Sequence, residues 1–245
     1  MEPLVPIPTR GRVFTDRRRI RLSDRDGRGR LRLDGVARFL QDVAIDDVEQ
    51  TGWGLPAHLW FVRSIRIDVM APFRADREVA LSTWCSGTAA IAAGRRWSLT
   101  GDAGGRIEVD SVWIHLGPDQ TPARIEGFGV YEEATDGRRV STKLELPDPE
   151  TGSSRAPWTL RAADVDMHGH VNNAVYWQAV EEALLDAGPD PARPLRALLD
   201  FRRPIDLVDR VELATARADG VLALGFVVDG DCRAVARVSA LAEAA

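Results

Sequence analysis

The chain has 245 residues, 44% apolar and 28% charged, which is typical of a soluble globular protein with room for one large domain or two smaller ones. Its formal net charge of −5 argues against a general nucleic-acid-binding protein, because neutralising phosphates needs a surplus of Lys and Arg. Two cysteines cannot build a secreted disulfide framework, and neither a signal peptide nor a membrane-spanning apolar run is seen, so we expect a cytoplasmic protein with no membrane partner.

The first motif lies at residues 24–31, which read DRDGRGRL. It is followed by residues 33–48, in which Val36, Phe39 and Val43 recur at spacings near three and four. That spacing predicts an amphipathic helix.

Strand patterns follow this helix. Residues 67–73 lead into residues 78–84, where apolar and polar side chains alternate. The alternation predicts a half-buried antiparallel strand. Further strands are predicted at residues 95–100 and 106–116, separated by the turn signal DAGG.

The second half repeats this order. Residues 164–171, DVDMHGHV, match the first motif at an offset of 140 and precede a second helical pattern at residues 172–185. Residues 199–205 lead into an alternating strand at residues 210–216, matching the first half at an offset of 132. Two more strands are predicted at residues 222–228 and 233–241. A chance match of a short Asp/Gly-rich pattern is the alternative, and two blocks matching in the same order disfavour it.

Each half therefore combines one long helix with several antiparallel strands, an α+β arrangement in which a curved sheet wraps the helix. Residues 118–157 are polar, rich in proline and without sustained periodicity, which indicates a linker. We place the domain bounds at 1–120, 121–157 for the linker, and 158–245.

The chemistry is concentrated in the second motif. A helix that begins near Asn172 offers unpaired N–H groups and the positive end of its dipole, which together stabilise an oxyanion. Asp166, just before the helix, could act as a general base on water or attack a carbonyl itself. His170 could orient substrate or water, or protonate a leaving group, and His168 lies between them.

Two other interpretations of these residues stay open. An Asp before a helix is more often an N-cap than a catalytic group, and Asp166 could do some capping. The pattern D-x-D-x-H-x-H could also converge on a cation through His168 and His170. We rank the metal site lower and expect neither a metal nor another cofactor.

Residues 164–176, DVDMHGHVNNAVY, resemble the hotdog thioesterase signature, in which an acidic loop ending in GHVNN opens the central helix. The order of further segments is similar to the acyl-ACP thioesterases of plants and bacteria. Those segments are residues 39–44 followed by Thr51 and Gly52, the Trp-containing residues 59–63, and residues 111–114. The resemblance covers most of residues 13–217.

This resemblance implies two hotdog repeats joined in one chain as a pseudo-dimer, and it leaves open whether the protein is a monomer or a homodimer. It implies hydrolysis of fatty acyl-ACP in fatty acid biosynthesis, with acyl carrier protein as partner. The alternatives are an acyl-CoA thioesterase of the same fold and an acyl-binding module without turnover. A sensor would be expected to carry a further domain and to lose Asp166 and His170.

The chain departs from the family pattern at two places. The family usually has Asn where His168 stands, and it commonly has Glu-Cys where this chain has Pro204 and Ile205. A nucleophilic cysteine is therefore absent there, and we interpret Cys85 and Cys232 as structural thiols. The mechanism must then depend on Asp166 and its neighbours.

The first half keeps Asp26 but has Arg28 and Arg30 in place of the histidines, so we expect one active site per chain. We expect substrate-binding residues at Asn172, Trp60, Phe61 and Arg63. The wall of the acyl site is expected to include Trp53, Trp60, Phe61 and Ile65, each of which could equally be ordinary core. An arginine patch for an acidic carrier is expected from Arg28, Arg30, Arg202 and Arg203.

Overall fold

A computed structural model describes residues 4–52, 59–149 and 153–241; Trp53 lies outside the described residues. Within these ranges ten strands form one antiparallel sheet, and α1 (Leu33–Thr51) and α3 (Asn173–Ala187) pack against each other. A shorter helix, α2 (Gly129–Thr135), lies between the two halves of the chain. The strands are β1 (Val13–Arg19), β2 (Leu59–Ala71), β3 (Glu78–Thr88), β4 (Ala92–Gly101), β5 (Arg106–Leu116), β6 (Ser154–Trp158), β7 (Leu195–Phe201), β8 (Val211–Ala218), β9 (Val221–Val228) and β10 (Asp231–Ala240).

The order of the strands repeats about the middle of the sheet. It runs β1-β3-β4-β5-β2-β7-β10-β9-β8-β6, so each half contributes five adjacent strands in an equivalent sequence. The halves meet where β2 pairs with β7, from Ser64 opposite Asp200 to Val69 opposite Leu195. The two halves therefore share one continuous sheet.

The core lies between the sheet and the two long helices. One face of α1 is buried through Val36, Leu40 and Val43, and α3 is buried through Trp177 and Val180. These side chains belong to a single cluster with the inward-facing residues of both halves of the sheet. Burial of this apolar area is the main force that holds the halves together.

The predicted linker carries more structure than its polarity indicates. It contains α2, whose Tyr131 is buried in a second cluster with Phe128, Cys85 and Ala93. It then continues as an outer strap, residues 138–149, across the face of the sheet away from the long helices. The domain bounds at 120 and 157 stay a prediction.

Backbone contacts hold the outer strap against both halves. Arg63 on β2 donates to the carbonyl oxygen of Thr142 at 3.1 Å, and the buried carboxylate of Asp200 on β7 accepts the N–H of Leu146 at 2.8 Å. Gly225 on β9 leaves room for the strap, because a Cβ there would lie 2.0 Å from Cγ of Pro149. The strap therefore links the halves on the face opposite α1 and α3.

Candidate active site

The second motif forms a tight loop that leads into α3. A single 3-10 turn, Ala162–Asp164, comes first, and Asp164 is buried. The N–H of Asp166 donates to the carbonyl of His170 at 2.9 Å, and Gly169 donates back to Asp166 at 3.0 Å. Gly169 has φ +85°, a conformation that glycine adopts without strain. The loop therefore holds Asp166 and His170 on either side of one turn.

Asn172 is the N-cap of α3, as the sequence places it near the helix start. Its side-chain oxygen accepts the N–H of Ala174 at 2.9 Å, while its own N–H donates to the carbonyl of Asp164. The suggestion that Asp166 does some of the capping is not supported, because Asn172 fills that role. The positive end of the helix dipole faces the loop.

Asp166 is half-buried, and its Oδ1 accepts the N–H of His168 at 2.9 Å. Within the described ranges the structure records no hydrogen bond to the other carboxylate oxygen of Asp166. The side chain of His168 is exposed, so its recorded contribution to the loop comes through its main chain. A catalytic role for the His168 side chain stays a prediction.

His170 has a carboxylate partner that sequence reasoning missed. Its Nδ1 lies 2.6 Å from Oδ1 of Asp206, with side-chain exposures of 39% and 54%. The contact arises because Val171 donates to the carbonyl of Ile205 at 2.8 Å, which brings the loop beside the end of β7. A carboxylate on one imidazole nitrogen fixes the ring and its tautomer.

Tyr176 lies in the first turns of α3, and nearby carboxylates affect its pKa. Burial raises its pKa, and the negative charges of Asp209, Asp166 and Asp206 raise it further. The positive charge of Arg233 lowers the pKa of Tyr176 in part. The three carboxylates therefore lie near enough to Tyr176 to act on its pKa, and one of them, Asp206, contacts His170.

The equivalent place in the first half is closed by ion pairs. Arg30, which occupies the position of His170, is buried and pairs with Asp26 at 3.1 Å and with Glu181 of α3. Glu181 also accepts the N–H of Leu33, the first residue of α1, at 2.6 Å. A carboxylate therefore occupies the end of α1 where an oxyanion would lie.

The predicted binding residues on β2 have different surroundings, and a binding role for them stays a prediction. Trp60 packs against His115 at 5.2 Å and Phe128 at 6.2 Å, in the cluster beneath α2. Arg63 donates to main-chain carbonyls, including that of Phe201 at 3.1 Å. Phe61 is half-buried against the main core. Of the residues proposed for an acyl wall, Ile65 lines a cavity beside α3.

That cavity lies between the first half and the start of α3. It has a volume of about 10 Å³ and is lined by Ala37, Leu40, Gln41, Ile65, Trp97, Trp113 and Asn173. This is room for a single water molecule. An acyl chain would need its walls to move apart. The lining is apolar except at Gln41 and Asn173, which face the loop end.

The two thiols have structural surroundings. Burial raises the pKa of Cys85 to about 11, so it is a poor nucleophile at neutral pH. Burial also raises the pKa of Cys232.

Among the described residues no three His, Cys, Asp or Glu side chains converge as a metal site would require. No helix in the described ranges is long and apolar enough to cross a membrane.

The predicted arginine patch is wrong at Arg30. This residue is buried because its guanidinium pairs with the buried carboxylate of Glu181. Arg202 pairs with Asp148 of the outer strap, and Arg203 pairs with Asp231 at 2.8 Å. Carboxylates thus already neutralise three of the four arginines. Arg28 is exposed.

Several known proteins are similar to this chain in sequence or in fold. Models of the acyl-ACP thioesterase N-terminal and C-terminal domains match residues 11–126 and 148–232. An uncharacterised protein of Mycobacterium tuberculosis is 33% identical over 236 residues, which cover 95% of this chain and 94% of that protein.

Two proteins with named substrates are more distant. Chloroplastic oleoyl-acyl carrier protein thioesterase 1 of Arabidopsis thaliana is 24% identical over 219 residues, which cover 77% of this chain and 60% of that protein. The solved structure of the 12:0-ACP thioesterase from Umbellularia californica is 16% identical and has a TM-score of 0.73, covering 93% of this chain and 96% of that one. At this identity the structural match shows a common fold.

Proposed function

Because the chain belongs to the acyl-ACP thioesterase family, we propose that it hydrolyses fatty acyl-ACP to a free fatty acid and holo-ACP, in fatty acid biosynthesis. The observation that carries the proposal is the His170–Asp206 pair beside Asp166 at the N-terminal end of α3. A general base, an imidazole fixed by a carboxylate and a helix end that stabilises negative charge are the parts that thioester hydrolysis needs.

The reaction begins with water attacking the thioester carbonyl. Asp166 takes a proton from the water through the carboxylate oxygen that His168 does not use. The carbonyl oxygen becomes an oxyanion at the N-terminal end of α3, where the helix dipole and the free N–H groups stabilise it.

Collapse of this intermediate breaks the C–S bond. The proton that Asp166 took from water passes to Nε2 of His170, and Asp206 stabilises the resulting imidazolium at Nδ1. His170 then gives this proton from Nε2 to the departing thiolate sulfur and returns to the neutral ring. The products are a fatty acid and the thiol of the carrier, with one water consumed.

The strand order supports a tandem of two hotdog repeats in one chain. Each long helix has five strands of its own, and the two sets join at β2 and β7. Joining covers the sheet edge that a single repeat would expose. A monomer is then a complete pseudo-dimer with one open site and one closed by Arg30 and Glu181.

The test is a hydrolysis assay on the purified protein with acyl-ACPs and acyl-CoAs of matched chain length, following released thiol and fatty acid. We expect turnover of both, with the higher kcat/KM for acyl-ACP at its preferred chain length. Equal kcat/KM values for ACP and CoA thioesters would favour an acyl-CoA thioesterase. No release from any thioester would reject the enzyme and favour an acyl-binding module.

A further inference from the structure

Gln41 belongs to α1 of the first half, yet it reaches the start of α3 in the second. Its Nε2 lies 3.3 Å from Oδ1 of Asn172, the cap of α3. It also lines the small apolar cavity together with Asn173. Gln41 therefore stands between the cavity and the loop that carries Asp166 and His170.

The equivalent residue of the other long helix shows independently what a side chain at this position contacts. Gln41 is the ninth residue of α1, and Glu181 is the ninth residue of α3. Glu181 accepts the N–H of Leu33, the first residue of α1, at 2.6 Å. In both halves, the side chain at this position therefore reaches the start of the opposite helix.

The difference between the two residues is chemical. Glu181 is a carboxylate that fills the end of α1 and is neutralised by Arg30. Gln41 is a neutral amide of nearly the same size, and an amide N–H donates where a carboxylate only accepts. A donor beside the end of α3 would strengthen oxyanion binding, whereas a carboxylate would repel the oxyanion.

The existing contact leaves the amide available. A donor–acceptor distance of 3.3 Å is longer than the usual 2.9–3.0 Å or so, and the oxygen of Asn172 already accepts Ala174. Among the described residues, the structure records no acceptor for the N–H of Asn173. Two donors from different halves of the chain therefore flank the place where the cavity meets the loop.

We propose that Gln41 is a catalytic residue contributed by the first half, whose side-chain N–H donates to the thioester carbonyl oxygen together with the N–H of Asn173. The assignment rests on the proposed thioesterase function and adds the hydrogen-bond donor that α3 alone does not provide. It also gives the first half a role in the chemistry. The paired helices then function as one site because each half supplies part of it.

The test compares Gln41→Leu and Gln41→Glu with Gln50→Glu, a matched change on the same helix, where Gln50 is exposed and accepts from Arg12. Removing an oxyanion donor lowers kcat by about 10²–10³-fold. We expect Gln41→Leu to lose about 10²-fold in kcat with KM changed less than threefold or so, and Gln50→Glu to match the parent protein.

Gln41→Glu adds a second measurement, the pH dependence of its activity. A purely structural role of Gln41 would not change this pH dependence. At pH 8 the carboxylate should repel the oxyanion, and activity should fall at least as far as in Gln41→Leu. At pH 5 a half-buried carboxyl takes up a proton and becomes a donor. The activity relative to the parent protein should then recover by about tenfold or more, while Gln41→Leu shows no recovery.

The outcomes separate the two proposals. If the parent protein releases thiol and Gln41→Leu keeps kcat within about threefold, the role of Gln41 is rejected and the proposed function stands. Loss of activity in Gln41→Glu that is equal at pH 5 and pH 8 also rejects it. If the parent protein releases no thiol from any thioester, the proposed function falls and the role of Gln41 falls with it. Thermal unfolding of each variant at both pH values identifies variants that fail to fold.

Discussion

Asp206→Asn tests whether the carboxylate beside His170 works in the reaction. The amide keeps the size of the side chain and can still contact Nδ1 of His170. It removes the negative charge that stabilises a protonated ring and weakens the preference for the tautomer with hydrogen on Nδ1. The expected effect is a lower kcat with little change in the fold.

The size of this effect follows from the geometry. A hydrogen bond to a charged group contributes about 1.5–3 kcal/mol, and the 2.6 Å contact is short. Both side chains are partly exposed, at 39% and 54%, so solvent screens the pair and the net value falls to about 1–2 kcal/mol. Since about 1.4 kcal/mol corresponds to tenfold, kcat should fall about 5–30-fold.

Steady-state hydrolysis of a preferred acyl-ACP measures this loss. The control is Asp186→Asn, which removes a carboxylate from another surface ion pair, with Arg217 at 2.9 Å and away from the loop. Its kcat should equal that of the parent protein. If Asp206→Asn also keeps the parent kcat, the contact with His170 is a surface ion pair and Asp206 has no part in the mechanism.

Three further predictions concern the framework around the site. Arg30→Met should lower the unfolding free energy by about 3–5 kcal/mol, because it leaves Glu181 buried without its ion pair; chemical denaturation measures this, and a loss below about 1 kcal/mol would contradict the closed first half. Burial raises the pKa of Asp110 to about 6, so the native state holds the proton more tightly than the unfolded chain and loses stability as pH rises from about 4 to 6. Asp110→Asn should therefore match the parent protein near pH 3.5 and exceed its stability by up to about 3 kcal/mol above pH 6, and a difference independent of pH would refute that. Cys85→Ala should keep full kcat in the hydrolysis assay, since the thiol is buried and its pKa is about 11; a loss of tenfold or more would restore a cysteine to the mechanism.

Much of the fold could be predicted because its signals are local. The periodicity of residues 33–48 and 172–185 locates α1 and α3 to within a few residues, and residues 106–116 match β5. The alternation of residues 78–84 and 210–216 indicates β3 and β8 in the same way. Two motifs that recur in the same order, at offsets of 140 and 132, then pair the two halves without any knowledge of their contacts.

The elements whose residues the sequence does not locate have weak local signals. β1 reads VFTDRRR and lies at one edge of the sheet, and β6 is five residues with a proline at the other edge. Edge strands pair on one side only, so their sequences need little apolar alternation. The helix α2 is stabilised by packing of Tyr131 and Phe128 against the sheet, which a polar, proline-rich segment does not reveal.

The candidate site also contains some residues that the sequence predicts and others that it does not. Asp166, His170 and Asn172 lie in one short motif, and their grouping follows from sequence alone. Asp206 and Gln41 are brought to the loop by the pairing of Val171 with Ile205 and by the contact between the two long helices. The positions of Asp206 and Gln41 at the loop depend on tertiary structure. The one sequence signal for Asp206 was a carboxylate two residues after Pro204. Trp60 is expected in the site because it lies in a segment that resembles the family; it packs against the cluster beneath α2, and a binding role for it stays a prediction.

The role of Asp166 is the centre of the account, and hydrolysis of acyl-ACP by Asp166→Asn tests it most directly. Asp26→Asn is the matched control, since Asp26 holds the same position in the closed first half and accepts from Arg30. With circular dichroism confirming that both variants fold, Asp166→Asn should lose about 10²–10⁴-fold in kcat, and Asp26→Asn should stay within about twofold of the parent protein. A kcat for Asp166→Asn close to the parent value, or an equal loss in both variants, would contradict the assignment of the active site to the loop before α3.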